Sequence, residues 1–522
     1  MTPPVVTILG GGISGLSAAY YLSRSAPQIK IRLLEASDRV GGWIKSNHIK
    51  DNVVFEAGPR TLRPQGVGGA ILLDMLKDLQ LDKDLLSIPK THPSARHRYI
   101  EYQGHINQLP SGLSDLLVNR PPILDSVVGS ILKEPFKNPG PASLGDGQGD
   151  ETIYDFVERR FNRHVALNLV GALAHGIYAG DCKQLSVQST FPMLAACEQR
   201  YGSVVKGMLQ GGVSLDTEKE QQLARLCQSR NPSWHNKMQG ASVIGLLPGL
   251  ETLPKALRHY LMNQPNVDVQ TNQSANRLER SSPTTMTITT PQGQYESDHV
   301  ISTLPSHKLA SILPSNTTLP HLTHNPNVDV AVVNLAYKKS ECDMKLDGSG
   351  FLTPHRDAPY RNQVPGVLGV IFDSNSLGVQ DKDNDVVRFT AMIGGSDWDL
   401  AFRSGGDGDG NASARALDLA QEAMSKCLGV RAAPVHYQAH IQKQCLPQYM
   451  VGHRLRLRDL HSTMQQHMGH QLSVTGASYL GVSVPDCVKN SRLLVDDLLS
   501  IGALGDRSSR VTGLEKSMIN LW

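Results

Sequence analysis

Glycine stands at Gly10, Gly11, Gly12 and Gly15 in LGGGISG, directly after the aliphatic run VVTIL, and an acid, Glu35, closes the next such run. These residue types, at this spacing, hold a diphosphate. Gly10 permits a tight turn, Gly12 lets a pyrophosphate approach the backbone, and Gly15 lets a helix lie close on a strand. A helix starting at Ile13 and Ser14 aims unpaired N–H groups and the positive end of its dipole at that diphosphate. Glu35 accepts from both hydroxyls of a ribose, which argues against a 2′-phosphate. The elements required are a strand from Val5 to Leu9, a helix from Ile13 to Ser23 and a second strand from Ile31 to Leu34. On these residues alone NAD and FAD both remain open.

The stretch ASDRVGGWIKS follows Glu35, and its Gly41–Gly42 doublet gives the backbone a second close approach to an extended cofactor, with Arg39 beside it as a charge-assisted phosphate contact. A doublet so placed resembles the second fingerprint of flavoenzymes of the amine oxidase superfamily, although Trp43 stands where many members carry arginine. Further on, FEAGPRTLRP sets Gly58, Pro59, Arg60 and Thr61 after a strand, as a loop to run under an isoalloxazine ring. Near the C-terminus, QLSVTGASYLGVSVPDC reads as a strand from Leu472 to Thr475, a glycine turn and a helix opening near Pro485, since proline is favoured at the first helical position. That helix points its positive end back at the βαβ unit, and the N–H groups near Val482, Ser483 and Val484 face the flavin edge that gains negative charge on reduction.

The blocks GGGISG, RVGGW, FEAGPRTLRP, HGIYAGDCKQLSVQSTFP, LPGLETLPKAL, HVISTLP, GVLGVIFDS and GASYLGVSVPDC, in this order over nearly the whole chain, resemble the oxygen-dependent, eukaryotic type of protoporphyrinogen oxidase. The resemblance implies non-covalent FAD and a six-electron oxidation of protoporphyrinogen IX to protoporphyrin IX, the penultimate step of haem biosynthesis, with O2 as acceptor and H2O2 as by-product. It assigns FAD contacts to Gly10, Gly11, Gly12, Ile13, Ser14, Gly15, Glu35, Arg39, Gly42, Trp43, Gly58, Pro59, Arg60, Thr61, Ala477, Val482, Ser483 and Val484. A backbone contact on the adenine side falls on Ala275, where the family usually places valine. Substrate contacts fall on Arg98, whose planar fork suits a propionate, on the backbone carbonyl of Gly176, and on Leu352 and Phe372 as apolar walls. Arg96 is expected on the same strand face as Arg98. Flavin carries the hydride chemistry, so no catalytic side chain and no metal ligand is assigned.

These expectations set the fold class as α/β (α+β overall), with a Rossmann-like FAD-binding domain, a mixed-sheet substrate domain and an inserted helical, membrane-associated domain. The FAD domain is expected over 1–86, 241–310 and 468–522, the substrate domain over 87–110 and 311–467, and the helical domain over 111–240. From about Ser111 to Leu226 apolar residues recur at helical spacing, whereas from Val328 to Gln442 they alternate as in strands. With the strand carrying Arg98, the second region should form a sheet over the flavin.

A chain of 522 residues is long enough for two or three cores. Its net charge of only +3, without a polybasic block, speaks against nucleic acid as a partner. The 7 cysteines are scattered singly, as free thiols, and no apolar run reaches the ~18 residues of a membrane span. The first strand begins too early to leave room for a cleaved presequence. The resemblance implies peripheral attachment to the mitochondrial inner membrane, and admits hand-over of product to ferrochelatase and a homodimer.

Two lookalikes are set aside. Asp407, Asp409, Asn411 and Asp418 suggest a calcium loop, but Ala412 occupies the turn position that needs glycine. The sequons at Asn316 and Asn411 have no secretory signal to serve. KNPGPASLGDGQGDE reads as a loop. Two rival functions share the fold: a flavin amine oxidase or carotenoid-type desaturase, and a non-catalytic carrier. Intact glycine fingerprints weigh against the carrier, and the lack of a Ser-Gly-Gly-Cys segment weighs against covalent-flavin monoamine oxidases.

Overall fold

The computed structural model describes residues 3–50, 53–112, 121–140, 149–315, 317, 319–342, 345–360, 362–383, 385–402, 411–468, 471–500 and 510–519. The calls on Asp407, Asp409 and Asn316, and the centre of the KNPGPASLGDGQGDE stretch, lie outside them.

Two sheets carry the architecture. In the first, the strand Val5–Leu9 pairs in parallel with Lys30–Leu34 on one side and His299–Ser302 on the other. Val267–Gln270 and Leu472–Val474 complete its edges, so a segment from each end of the chain lies in one five-stranded sheet. Val6, Thr7 and Ile8 are wholly buried, as in a parallel strand covered on both faces. The helix Val484–Ser500 packs against both Ile13–Ser25 and Gly66–Asp78 beside this sheet, around Leu16, Leu72 and Val488.

The second sheet has seven strands in the order His436–Pro447, Asn327–Lys338, Val386–Gly394, Val367–Ile371, Gly350–Leu352, Arg98–Tyr102 and His105–Leu109. It is mixed because Gly350–Leu352 runs parallel to Arg98–Tyr102 while the other pairs are antiparallel. Side chains alternate between its faces. Tyr99, Leu335, Phe351, Val370 and Phe389 meet the helix Ala412–Leu428 in a core on one face. By register Arg98, Leu352, Ile371, Thr390 and Asn334 share the opposite face.

Between residues 122 and 239 the described elements are all helical. Ile153, Phe156, Leu167, Ala174 and Leu185 form their core, which meets Ile100 and Tyr102 of the second sheet. Arg160 and Glu134 form a wholly buried ion pair there, and Glu134 also accepts from the N–H of Val204 at 2.9 Å. The helices Glu218–Arg230 and Pro232–Gln239 pack elsewhere: Leu223, Cys227 and Met238 belong to the core of the first sheet's helices. No helix among the described residues is long and apolar enough to cross a membrane.

Candidate active site

The turn after the first strand is built as its glycines require. A methyl group on Gly15 would lie 1.9 Å from the carbonyl oxygen of Gly10, so helix and strand touch backbone to backbone. Gly12 is open, with nothing within 4 Å of an added methyl. It caps a helix whose first turn has neither a side-chain cap nor an acid, leaving the N–H groups of Ile13, Ser14 and Gly15 aimed outward for an anion. Glu35 lies beside the turn and accepts from the Gly11 N–H at 2.6 Å and from Ser37 at 2.8 Å.

The other fingerprints close on this turn. The Gly41 N–H donates to the Gly11 carbonyl at 2.8 Å, and Gly42 lies against Gly12, 3.4 Å from its Cα to the position of an added methyl. A methyl on Gly58 would meet the Trp43 carbonyl at 2.2 Å, so Gly58 and Pro59 pass directly against the doublet loop. Trp43 itself is 44 % exposed. Arg39 donates to the carbonyls of Val40 and Ile44 at 3.2 Å and to that of Gly42, with Glu251 at 3.8 Å, so its guanidinium shapes the doublet loop from within. The Gln273 and Asn272 N–H groups donate to the Glu35 and Ser37 carbonyls, which carries Ala275 past the end of the second strand.

The C-terminal segment reaches the same place. Gly476 lies against Ser14 and Thr303, and the Ala477 carbonyl accepts from the Tyr449 hydroxyl. That hydroxyl in turn accepts from the Gly481 N–H at 3.0 Å. Ser483 caps the helix Val484–Ser500: its Oγ accepts from the Asp486 N–H at 3.2 Å. Asp486 puts an acid in that helix's first turn, countered by Lys489 at 3.4 Å. Residues 10–15 and 482–484 therefore share one neighbourhood, as a single extended cofactor demands. An uncapped helix start beside an open glycine, an acid poised for hydroxyls and three glycine passes fit FAD.

The second sheet is clamped over this region. Arg60, nearly buried, pairs with Asp373 at 3.0 Å and donates to the Gly58 carbonyl. The other Asp373 oxygen accepts from Thr390 at 2.6 Å, and Asn334 donates to Thr390 and to the Glu56 carbonyl. Gln442 donates to the Ala57 carbonyl at 2.7 Å. The segment 56–61 that includes Thr61 is thus held under the sheet face bearing Arg98 and Leu352.

Gly176 faces that same surface from the helix Gly171–Tyr178, which follows a wide π turn over Val165–Val170. A methyl on Gly176 would lie 2.7 Å from a Leu352 methyl, and Leu173 and Ile177 on its flank are 44 % and 49 % exposed. Leu352 shares its sheet face with Arg98, which donates to the Ser349 hydroxyl at 3.0 Å. Arg96 does not share that face: it ends a short helical turn, Pro93–Arg96, before the strand begins.

Phe372 is the substrate call that the structure corrects. It is 1 % exposed and sits among Tyr99, Phe351 and Phe389 in the core behind the sheet, whereas Ile371, one residue earlier, is on the side of Arg98 and Leu352. Side-chain alternation separates the two. Asp373, Thr390, Asn334 and Tyr449 were not anticipated either, since no short-range pattern ties them to the glycine motifs.

One group of possible metal ligands, Asp181, Cys182 and His355, is buried nearby with its ligand atoms within 4.8 Å. His355 already bonds Asp181 at 2.9 Å, Arg356 occupies the other Asp181 oxygen at 3.1 Å, and burial pushes the Cys182 thiol up to about 12. A guanidinium and a protonated thiol suit an ion-pair network better than a cation site.

Over residues 13–499 the chain matches the family model described as flavin containing amine oxidoreductase. The chain belongs to that family. It is 34 % identical over 491 residues to the protoporphyrinogen oxidase of Homo sapiens, covering 93 % of this chain and 96 % of that one. It is 32 % identical over 509 residues to that of Schizosaccharomyces pombe, covering 95 % and 99 %. In fold it is similar to a candidate protoporphyrinogen oxidase from Exiguobacterium sp. 255-15, with a TM-score of 0.71 at 22 % identity, covering 95 % and 99 %. This amine oxidoreductase family member is an oxidoreductase of the protoporphyrinogen oxidase type with a flavin cofactor.

Proposed function

We propose that the chain oxidises protoporphyrinogen IX to protoporphyrin IX, passing the electrons to O2. The observation that carries this reading is one sheet face, over the 56–61 loop, that combines an apolar wall at Leu352 and Gly176 with an Arg98 guanidinium that, among the described residues, is held by a neutral hydroxyl and no acid. That combination suits a large apolar ring with carboxylates on its rim. Bound flavin supplies the hydride acceptor and its reoxidation by O2. The chain supplies the rest: Arg98 orients the substrate by a carboxylate, the apolar surfaces of Leu352, Leu173 and Ile177 exclude water, and the Gly176 carbonyl is available to pyrrole N–H groups. No side chain is assigned to proton transfer. His175, beside Gly176 in sequence, is buried, donates from Nδ1 to the Thr353 carbonyl at 3.1 Å, and is held toward its neutral form first of all by burial.

Anaerobic titration of the yellow protein with protoporphyrinogen IX, followed by air, tests the reading. Bleaching of the flavin, then recovery with fluorescent porphyrin and H2O2, is expected; bleaching by amines and not by the porphyrinogen would overturn it in favour of an amine oxidase.

Peripheral attachment to the mitochondrial inner membrane is part of the proposal. It is supported by exposed Leu132, Phe136, Met208 and Leu209, which lie on neighbouring helical elements with Lys133 and Lys206. Binding to cardiolipin-containing vesicles, lost in a Phe136→Ser, Leu209→Ser variant, is the test. Hand-over to ferrochelatase and a homodimer belong to the same proposal and rest on the resemblance alone.

A further inference from the structure

Arg98 does not stand alone at the rim of the cleft. The loop that carries Arg60 continues through Leu62, bridged to Ile244, to an exposed Arg63. Arg60 is tied to Asp373, and the residue before Asp373, Phe372, donates its N–H to the Ser349 carbonyl at 3.1 Å. Ser349 is the residue whose hydroxyl receives Arg98. The segment that carries Arg63 and the strand that carries Arg98 are therefore tied to the same end of the sheet, through Asp373 and Ser349. Burial, and after it the charge of Arg63, lowers the pKa of Arg98. Among the described residues neither guanidinium pairs with an acid. Two like charges held together without a counter-ion are unfavourable unless a ligand provides one.

We propose that Arg63 is a second substrate-binding residue, and that Arg63 and Arg98 together receive two carboxylates projecting from neighbouring positions on the substrate's rim. This rests on the porphyrinogen reading, since protoporphyrinogen IX carries its two propionates on adjacent rings. It adds a specificity rule: the site prefers a diacid over the monoacid or diester of the same ring, because each carboxylate lost leaves one guanidinium without its counter-ion.

The test compares Arg63→Ala, Arg63→Lys and the unaltered holoenzyme on protoporphyrinogen IX and on its dimethyl ester. For the diacid, Arg63→Ala is expected to raise KM about tenfold or more with kcat within about twofold, as loss of one charge-assisted bond requires. Arg63→Lys is expected to recover part of that loss. On the ester, Arg63→Ala and the unaltered enzyme are expected to share one KM. Retained flavin absorbance and melting temperature show that the variants are folded. An unchanged KM on the diacid, or an equal rise on the ester, overturns the role of Arg63 while leaving the function intact. Failure of the unaltered holoenzyme to oxidise protoporphyrinogen IX at all overturns the function and this inference with it.

Discussion

At Gly176 the proposed site depends on a missing side chain. A methyl there would press on the mobile end of Leu352, not on backbone, so the chain accommodates it by turning Leu352 toward the cleft. Alanine in a helix interior also gains about 0.8–1 kcal/mol over glycine. Gly176→Ala is therefore expected to leave the melting temperature nearly unchanged while KM rises several-fold; equal loss of stability and affinity would show that the residue matters for folding and not for the substrate. Glu56 presents the converse case, a charged group placed where charge is costly. Burial pushes its carboxyl from 4.5 up to about 7 against the bonds it accepts from Leu250 and Ser46. Between those values the folded chain holds a proton that the unfolded chain has released. Its contribution to stability is whole below the unfolded value and falls as pH rises through the folded one. Glu56→Gln is expected to flatten that decline, with a gain of up to about 3 kcal/mol above pH ~8, read as melting temperature against pH.

At the scale of elements, the parts that local pattern can specify were legible in the sequence. The opening βαβ unit spans Val5–Leu9, Ile13–Ser25 and Lys30–Leu34, and the last helix begins at Val484, one residue from the expected proline. Each of these is announced by residues within a few positions of its own boundary. Partnerships across the chain were not legible. Amphipathic spacing told that Glu218–Arg230 has a buried face, but not that the face meets the first sheet's helices instead of the helical insertion. The resemblance puts Phe372 on the ligand side, and the change of face from Ile371 to Phe372 at the end of the strand is invisible to a motif match. At the start of the last helix the argument becomes quantitative. Ser483 satisfies an N–H of the first turn, and Ser483→Ala is expected to cost about 1 kcal/mol. The contacts proposed for Val482, Ser483 and Val484 are made by backbone N–H groups, so flavin affinity should fall by less than tenfold, as measured by fluorescence titration of the apoprotein.

For the molecule as a whole, the decisive joint is between the two sheets. Arg60 and Asp373 lie 313 residues apart in sequence, on the cofactor loop and at the end of a strand of the second sheet, and both are nearly buried. The pair holds the 56–61 loop in place through Thr390 and Asn334 as well, so it sets how the sheet face bearing Arg98 and Leu352 lies over that loop. Removing one partner leaves the other charge buried and uncompensated, at a cost of about 3–5 kcal/mol, whereas replacing both by apolar residues costs much less. Asp373→Leu and Arg60→Leu are each expected to destabilise the chain by that order and to release flavin on mild heating. The double variant should recover a large part of the stability, because the uncompensated charge is gone. It should not recover turnover, because the loop has lost its tie to the sheet. Chemical denaturation of the four proteins closes the cycle, and strictly additive losses would mean that the two residues act on separate parts of the fold.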